Sequence, residues 1–115
     1  VFTEQPLLTA LANDEDYGSV YEKPVELWAE QGDLLITVSS SGKSENILRA
    51  LEASIAKDCR IVTFSGFGAD NPSRQKGDVN FYVNSDFYGF VETAHAALTH
   101  YITDRARNLV LSENA

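Results

Sequence analysis

The chain has 115 residues, of which 43% are hydrophobic and 23% are charged, and it contains no methionine. This length gives one domain at most, and a composition near the globular average excludes wholesale disorder. Seventeen acidic residues against nine basic ones give a net charge of −8, so the broad basic face required for nucleic-acid or anionic-membrane binding is absent. No apolar run reaches the roughly 18 residues that span a membrane. The sole cysteine, Cys59, excludes a disulfide framework, and we expect a reducing, cytoplasmic compartment.

The first third of the chain predicts helices and a turn. Residues 7–12 form a short apolar stretch that ends at Asn13 and Asp14, and residues 15–18 are typical of a turn. Residues 19–30 carry apolar side chains at helical spacing, and Pro24 predicts a break or a first-turn position there.

The middle of the chain predicts a strand, a helix and a second strand within about 31 residues. Residues 34–38 are nearly continuously apolar, which is typical of a strand buried on both faces of a parallel sheet. Residues 45–55 have apolar side chains three and four positions apart, as in an amphipathic helix. Residues 60–64 form the second strand, so we expect a βαβ unit with a right-handed crossover.

The last part continues the same alternation. Residues 65–77 predict a loop rich in glycine and proline, residues 79–83 a third strand, and a final helix begins at residue 86 or 89 and ends near residue 108. The order of elements predicts an α/β fold with a parallel sheet.

The most informative stretch, residues 38–46, reads Val-Ser-Ser-Ser-Gly-Lys-Ser-Glu-Asn and lies between the first strand and the following helix. Ligands of α/β sheets bind beyond the carboxyl ends of strands, and the first amides of a helix favour an anion. Serine hydroxyls add further donors, so we interpret this stretch as a phosphate-binding loop. The serines are Ser39, Ser40, Ser41 and Ser44.

The residues of this loop are also compatible with a helix cap and resemble the end of a nucleotide P-loop. Ser44 is also a good N-cap, with the remaining serines as plain loop residues, but a cap uses one hydroxyl and the loop has four. A nucleotide P-loop requires glycine at position 37, where the chain has Thr37 within the predicted strand. That interpretation is excluded.

The residues from Gly32 to Ile47 resemble the signature of the SIS (sugar isomerase) domain family. They are most similar to its phosphoheptose isomerase branch, which converts sedoheptulose 7-phosphate to a heptose 7-phosphate. Residues 7–14 and the stretch 92–100, with two histidines five positions apart, resemble the same branch. The resemblance implies a three-layer α/β sandwich with a parallel sheet, flavodoxin-like, that binds phosphosugars and not nucleotides.

The family fold begins with a long helix, a strand and a glycine-rich loop leading into a helix, and nothing in this sequence resembles that segment. We therefore expect residues 1–115 to be a single SIS domain that lacks the N-terminal helix and first strand and forms the C-terminal part of a longer domain. The family's catalytic glutamate lies in the segment that is not found here.

The resemblance implies roles for the serine loop and for the first apolar stretch. Ser39, Ser41 and Ser44 would hold the phosphate, with Ser40 supplying a backbone or hydroxyl contact. Asn13 and Asp14 would bind sugar hydroxyls, although an Asn-Asp pair is also common in turns.

His100 aligns with the family's catalytic histidine, an acid/base for proton transfer between neighbouring carbons, which suits an imidazole. Without the resemblance, His100 would be interpreted as a core or interface histidine. Glu92 and His100 also correspond to metal ligands of zinc-containing members. The family has glutamine at position 92, but a carboxylate also binds zinc. His95 lies about 140° around the helix from His100 and is expected to pack or to lie on the helix surface.

The aromatic stretch 86–90 favours an oligomer interface, with a reshaped sugar pocket as the alternative. The leading functional hypothesis is an aldose–ketose isomerase of a sugar phosphate such as sedoheptulose 7-phosphate. The alternatives are a non-catalytic SIS module that senses sugar phosphates or binds a partner protein such as a replication initiator, and a structural subunit. Because family members are commonly dimers or tetramers, we expect a homo-oligomer.

Overall fold

The structure, a computed structural model, describes residues 4–113 and alternates helices with parallel strands. Three strands form one sheet in the order β1-β2-β3, and both pairs are parallel. The predicted α/β class is therefore confirmed. The elements in chain order are α1 (Gln5–Asp14), α2 (Ser19–Trp28), β1 (Leu34–Val38), α3 (Glu45–Ala56), β2 (Arg60–Ser65), a 3-10 turn (Arg74–Lys76), β3 (Val79–Tyr82) and α4 (Tyr88–Glu113).

The central strand β2 carries the core of the sheet. In the register, Thr37 pairs with Thr63 and Val38 with Phe64. Ile61 and Phe64 are each 2% exposed, and Thr63 is fully buried. Because successive side chains of a strand point to opposite faces, β2 is covered on both sides.

Helices cover these two faces and give a three-layer arrangement. Helices α2 and α3 pack on each other, and α3 lies against β1 and β2. On the opposite face, the Phe64 ring lies 4.8 Å from that of Phe81 and 5.6 Å from the imidazole of His95 on α4. The three-layer sandwich predicted from the resemblance is confirmed.

The prediction that the first strand is buried on both faces is wrong for the described structure. Leu34, Ile36 and Val38 of β1 are 56%, 53% and 56% exposed, while Thr37 on the other face is buried. The reason is position, since β1 is an edge strand and α4 packs on the central strand β2, where His95 contacts Phe64. An apolar strip therefore lies along this edge.

Two helices differ in extent from the sequence prediction. Helix α2 continues through Pro24 without a break, and the proline ring is buried among its neighbours. Because proline has no backbone N–H, the helix lacks one of its hydrogen bonds at this turn. Helix α4 continues past the predicted end near residue 108 to Glu113. Over residues 4–113, no helix combines the length and hydropathy needed to cross a membrane.

Candidate phosphate-binding site

The serine loop, residues 39–44, connects the carboxyl end of β1 to the first turn of α3. It is a tight turn, because the Gly42 amide donates to the backbone oxygen of Ser39 at 3.1 Å and lies 3.2 Å from its Oγ. The Lys43 amide donates to the Ser41 Oγ at 3.3 Å. Gly42 has a φ of +62°, a conformation that favours glycine over residues with a Cβ. These bonds hold the Gly42 and Lys43 amides within the loop and set its shape.

Ser44 occupies the N-cap position of α3 but makes no side-chain cap hydrogen bond. Its backbone oxygen accepts from the amides of Ile47 and Leu48, both at 3.0 Å. The interpretation of Ser44 as an ordinary capping serine therefore agrees with its position but not with its hydrogen bonding. Its exposed hydroxyl remains available to a ligand.

An open cavity of about 590 Å³ lies over the serine loop. This volume is within the range of small-molecule sites. Side chains from α2, the serine loop, α3 and α4 meet there, so the cavity joins parts of the chain that are far apart in sequence. Its polar lining consists of Tyr21, Ser39, Ser40, Ser41, Ser44, Asn46, Tyr88, Glu92, His95 and Thr99.

The charge of this cavity is unusual for an anion site. Among the described residues, its lining includes no lysine or arginine, and its one carboxylate is Glu92. Lys43 belongs to the loop but is exposed and does not line the cavity. An anion here would be held by hydroxyls, by loop amides and by the N-terminus of α3.

The structure brings together some of the predicted site residues and separates others. All four predicted serines and Glu92 line the same cavity. Asn13, Asp14 and His100 are exposed and do not line it. The Asn13 amide donates instead to the Asp14 carboxylate at 3.1 Å, at the end of a helix that packs on α2. The roles of these three residues stay predictions.

His95 is 3% exposed, which confirms that it packs and excludes the alternative that it lies on the helix surface. Its Nε2 lies 3.1 Å from the Ser65 backbone oxygen, and a carbonyl accepts, so Nε2 is assigned as the protonated nitrogen. Its Nδ1 is buried and has no hydrogen-bond partner within residues 4–113. His95 therefore fastens α4 to the end of β2 while also lining the cavity.

The sequence prediction missed several lining residues. Tyr88, His95 and Thr99 were not predicted, although with the predicted Glu92 they recur at spacings of three and four, which puts all four on one face of α4. This spacing was a usable signal. His100 is one position further and turns about 100° away from that face. Tyr21 and Asn46 gave no comparable signal, because they reach the cavity through the packing of α2 on α3.

The described residues do not by themselves fit a zinc ion. Zinc in proteins takes three or four protein ligands. Nowhere in the described part of the chain do three histidine, cysteine, aspartate or glutamate residues form a group that could hold a metal. Glu92 and His100 would supply two ligands at most, so no chemical step is derived through a metal here.

No protein-family model matches the chain. It is 33% identical over 104 residues to a phosphoheptose isomerase of Shewanella denitrificans, and 32% identical over 104 residues to one of Shewanella baltica. Each alignment covers 89% of this chain and 53% of the relative. The chain thus spans about half the length of the curated relatives it matches.

Solved structures agree with these relatives. A phosphoheptose isomerase from Neisseria gonorrhoeae superposes with a TM-score of 0.84 at 27% identity, over 89% of this chain and 57% of that one. One from Francisella tularensis has the same TM-score at 24% identity, over 90% of this chain and 56% of that one, and this likeness shows the fold. The resemblance to the phosphoheptose isomerase branch that the sequence predicts is confirmed.

Proposed function

We propose that this chain supplies the phosphate-binding part of the active site of an aldose–ketose isomerase that acts on a sugar phosphate such as sedoheptulose 7-phosphate. The observation that carries the proposal is the convergence of the serine loop, the N-terminus of α3 and one face of α4 on a single cavity. Similarity to enzymes named phosphoheptose isomerase over 89% of the chain supports the same reaction class.

The distribution of charge orients a sugar phosphate in this cavity. The phosphate belongs at the serine loop, where hydroxyls and helix-end amides donate and the helix dipole favours negative charge. Glu92 would repel a phosphate but accepts hydrogen bonds from sugar hydroxyls. The sugar chain therefore extends from the serine loop along α4 toward Glu92.

Anchoring the phosphate serves the reaction because it fixes carbons that lie some distance from it. Isomerisation moves a proton between neighbouring carbons beside a carbonyl, through an enediol. Binding energy from the remote phosphate orients those carbons toward the acid and base. This is the contribution that the residues described here make.

His100 is the proposed acid/base, with its partner group supplied from outside the described residues. Its support is the alignment with the family's histidine and its exposure, which leaves the imidazole accessible to a substrate. Asn13 and Asp14 remain proposed contacts for sugar hydroxyls. We also propose that any zinc ion in the complete site takes Glu92 and His100 among its ligands.

The proposed assembly is a homo-oligomer, in the reducing environment that a single free cysteine favours. Large apolar side chains are exposed on β1 and on the second half of α4, including Ile36 at 53% and Leu109 at 54%. Surfaces of this kind are more often covered by protein than left in water.

The test is turnover of sedoheptulose 7-phosphate by the full-length gene product that carries this sequence. We expect isomerisation, and we expect His100→Asn to lower kcat by about 10²-fold or more while phosphate binding is retained. A protein that binds sugar phosphates but isomerises none would favour the sensing alternative. A protein that binds none would overturn the phosphate site itself.

A further inference from the structure

We propose that Asn71 is a positioning residue that holds the serine loop in the shape that binds phosphate. The proposal rests on the proposed function, because it takes phosphate as the ligand of that loop. Asn71 lies in the segment between β2 and the 3-10 turn and does not line the cavity, so any influence on the ligand must pass through the loop.

Asn71 is 0% exposed, and its amide is held at both ends. Its Nδ2 donates to the Gly68 backbone oxygen at 2.9 Å and to the Ser65 Oγ at 3.1 Å, with the Gly66 oxygen at 3.3 Å. Its Oδ1 accepts from the Arg74 amide at 2.9 Å. A donor on one side and acceptors on the other fix the orientation of the amide plane.

The fixed amide lies directly beneath the turn of the serine loop. A Cβ placed on Gly42 would stand 2.0 Å from the Asn71 Oδ1 and 2.5 Å from its Cγ, far inside van der Waals contact. Gly42 is therefore needed for two reasons, its φ of +62° and the absence of a side chain against Asn71. The loop turn and the Asn71 amide pack face to face.

Neighbours of Asn71 hold the backbone of the same turn. The Ser73 amide donates to the Gly42 backbone oxygen at 3.1 Å, and the Gly66 amide donates to the Ser40 oxygen at 2.8 Å. Ser73 is itself 0% exposed. The directions of the hydroxyls and amides in residues 39–44 thus depend on a platform, residues 66–73, whose central buried side chain is Asn71.

The experiment measures inorganic phosphate binding by calorimetry, and KM and kcat with sedoheptulose 7-phosphate, in the full-length gene product. For Asn71→Ala we expect phosphate affinity to fall by about tenfold and KM to rise with kcat retained, since the lost interaction is uniform binding. The matched control is Val25→Ala on α2, a buried position that lines a separate cavity and not the phosphate site. It should lower the melting temperature and leave phosphate affinity unchanged.

A second variant reaches the same contact from the other side. Gly42→Ala must displace the Asn71 amide or the loop, so we expect it to weaken phosphate binding by about tenfold or more as well. If the two substitutions act through one contact, their effects on phosphate affinity are not independent. The double variant Gly42→Ala/Asn71→Ala then has a much higher phosphate affinity than the product of the two single-variant losses predicts. This coupling is a readout that a loss of stability alone would not produce.

The outcomes separate the two proposals. Phosphate binding by the unsubstituted protein with unchanged affinity in folded Asn71→Ala would overturn the role of Asn71 and leave the phosphate site standing. If Asn71→Ala does not fold, Gly42→Ala decides, and unchanged affinity in that variant overturns the role. No phosphate binding by the unsubstituted protein would overturn both.

Discussion

At the scale of single residues, the serine loop offers uncharged hydrogen-bond donors, hydroxyls and backbone amides, to an anion. A hydroxyl or amide held in place by the fold donates to phosphate without adding a buried charge that needs its own partner. This is consistent with a chain whose net charge is −8 and whose cavity lining, within the described residues, has no basic side chain. Such a site depends on geometry more than on long-range attraction, because the donors act at hydrogen-bond distance.

Ser44→Ala tests this dependence on a hydroxyl. We expect phosphate affinity to fall by about tenfold, because a donor to a charged group is lost. Stability should change by less than about 0.5 kcal/mol, because the Ser44 hydroxyl makes no cap hydrogen bond. Calorimetric titration with phosphate and thermal unfolding measure the two effects.

The matched control is Ser112→Ala, near the end of α4, where the hydroxyl donates to the Leu109 oxygen at 2.8 Å. It should leave phosphate affinity unchanged. A loss of about 1 kcal/mol of stability in Ser44→Ala with phosphate binding intact would show instead that this serine is an ordinary helix cap.

At the scale of elements, an arginine joins helices α2 and α3, which both contribute to the cavity over the serine loop. From α3, Arg49 donates through Nε to the Glu22 carboxylate of α2 at 2.7 Å and through Nη1 to Asp16 at 2.8 Å. Asp16 also accepts from the Ser19 amide at 3.0 Å at the start of α2. The cluster therefore ties the beginning of α2 to the middle of α3.

This cluster predicts an acid-sensitive contribution to stability. The hydrogen bond from Arg49 lowers the pKa of Asp16 below its usual 3.8. A lowered pKa in the folded state means that the contribution is present above the ordinary pKa and is lost as pH falls through the folded value. We expect the melting temperature of the unsubstituted protein to fall more steeply below about pH 4 than that of Asp16→Asn.

Thermal unfolding followed from about pH 2 to pH 7 makes this comparison. Asp104→Asn, an exposed carboxylate on α4, is the matched control and should keep the slope of the unsubstituted protein. Equal slopes for the unsubstituted protein and Asp16→Asn would show that the pairing of Asp16 with Arg49 does not change the free energy of unfolding. Many exposed ion pairs contribute nothing measurable in this way.

The burial of α3 predicts a second contrast between elements. Leu51 is 0% exposed, whereas Ile55, one turn later, is 45% exposed. Leu51→Ala should cost roughly 2–5 kcal/mol, because it removes buried methyl groups and leaves a cavity. Ile55→Ala should cost less than about 1 kcal/mol. Denaturant unfolding of both variants measures the difference, and similar costs would contradict the burial of Leu51.

At the scale of the whole molecule, the sequence predicted what depends on neighbouring residues. The period of apolar side chains gave strands β1, β2 and β3 and helix α3 to within a few residues. The four serines were found together because they share one loop, whose position after a strand carries the chemistry. In this loop, residues that are neighbours in the sequence also form one part of the candidate site.

Features that depend on distant packing were not predictable in this way. The exposure of Ile36 follows from the edge position of β1 and the packing of α4 on β2, which no pattern within β1 records. Tyr21 reaches the cavity because α2 packs on α3, and Asn71 supports Gly42 across a separation of 29 residues. Each of these is a property of the tertiary arrangement.

The aromatic residues at the start of α4 show this division most clearly. The sequence favours an oligomer interface over a reshaped pocket for these residues, and the structure places them in two different locations. Tyr88 lines the cavity above the serine loop. Phe87 and Phe90 are 69% and 68% exposed and border a separate, shallow apolar groove of about 720 Å³. Tyr88 therefore fits the pocket interpretation, whereas Phe87 and Phe90 fit the interface interpretation.

This division gives a prediction for the assembled protein. In a homo-oligomer that uses this groove, the double variant Phe87→Ser/Phe90→Ser should lower the mass measured by light scattering, because it removes two large apolar side chains from the interface. The neighbouring Tyr88→Ser is the matched control, with a similar exposure of 60%. It should leave the mass unchanged and weaken sugar-phosphate binding instead, because its ring borders the cavity. An unchanged mass in the double variant, or a monomer before any substitution, would exclude this groove as a site of self-association.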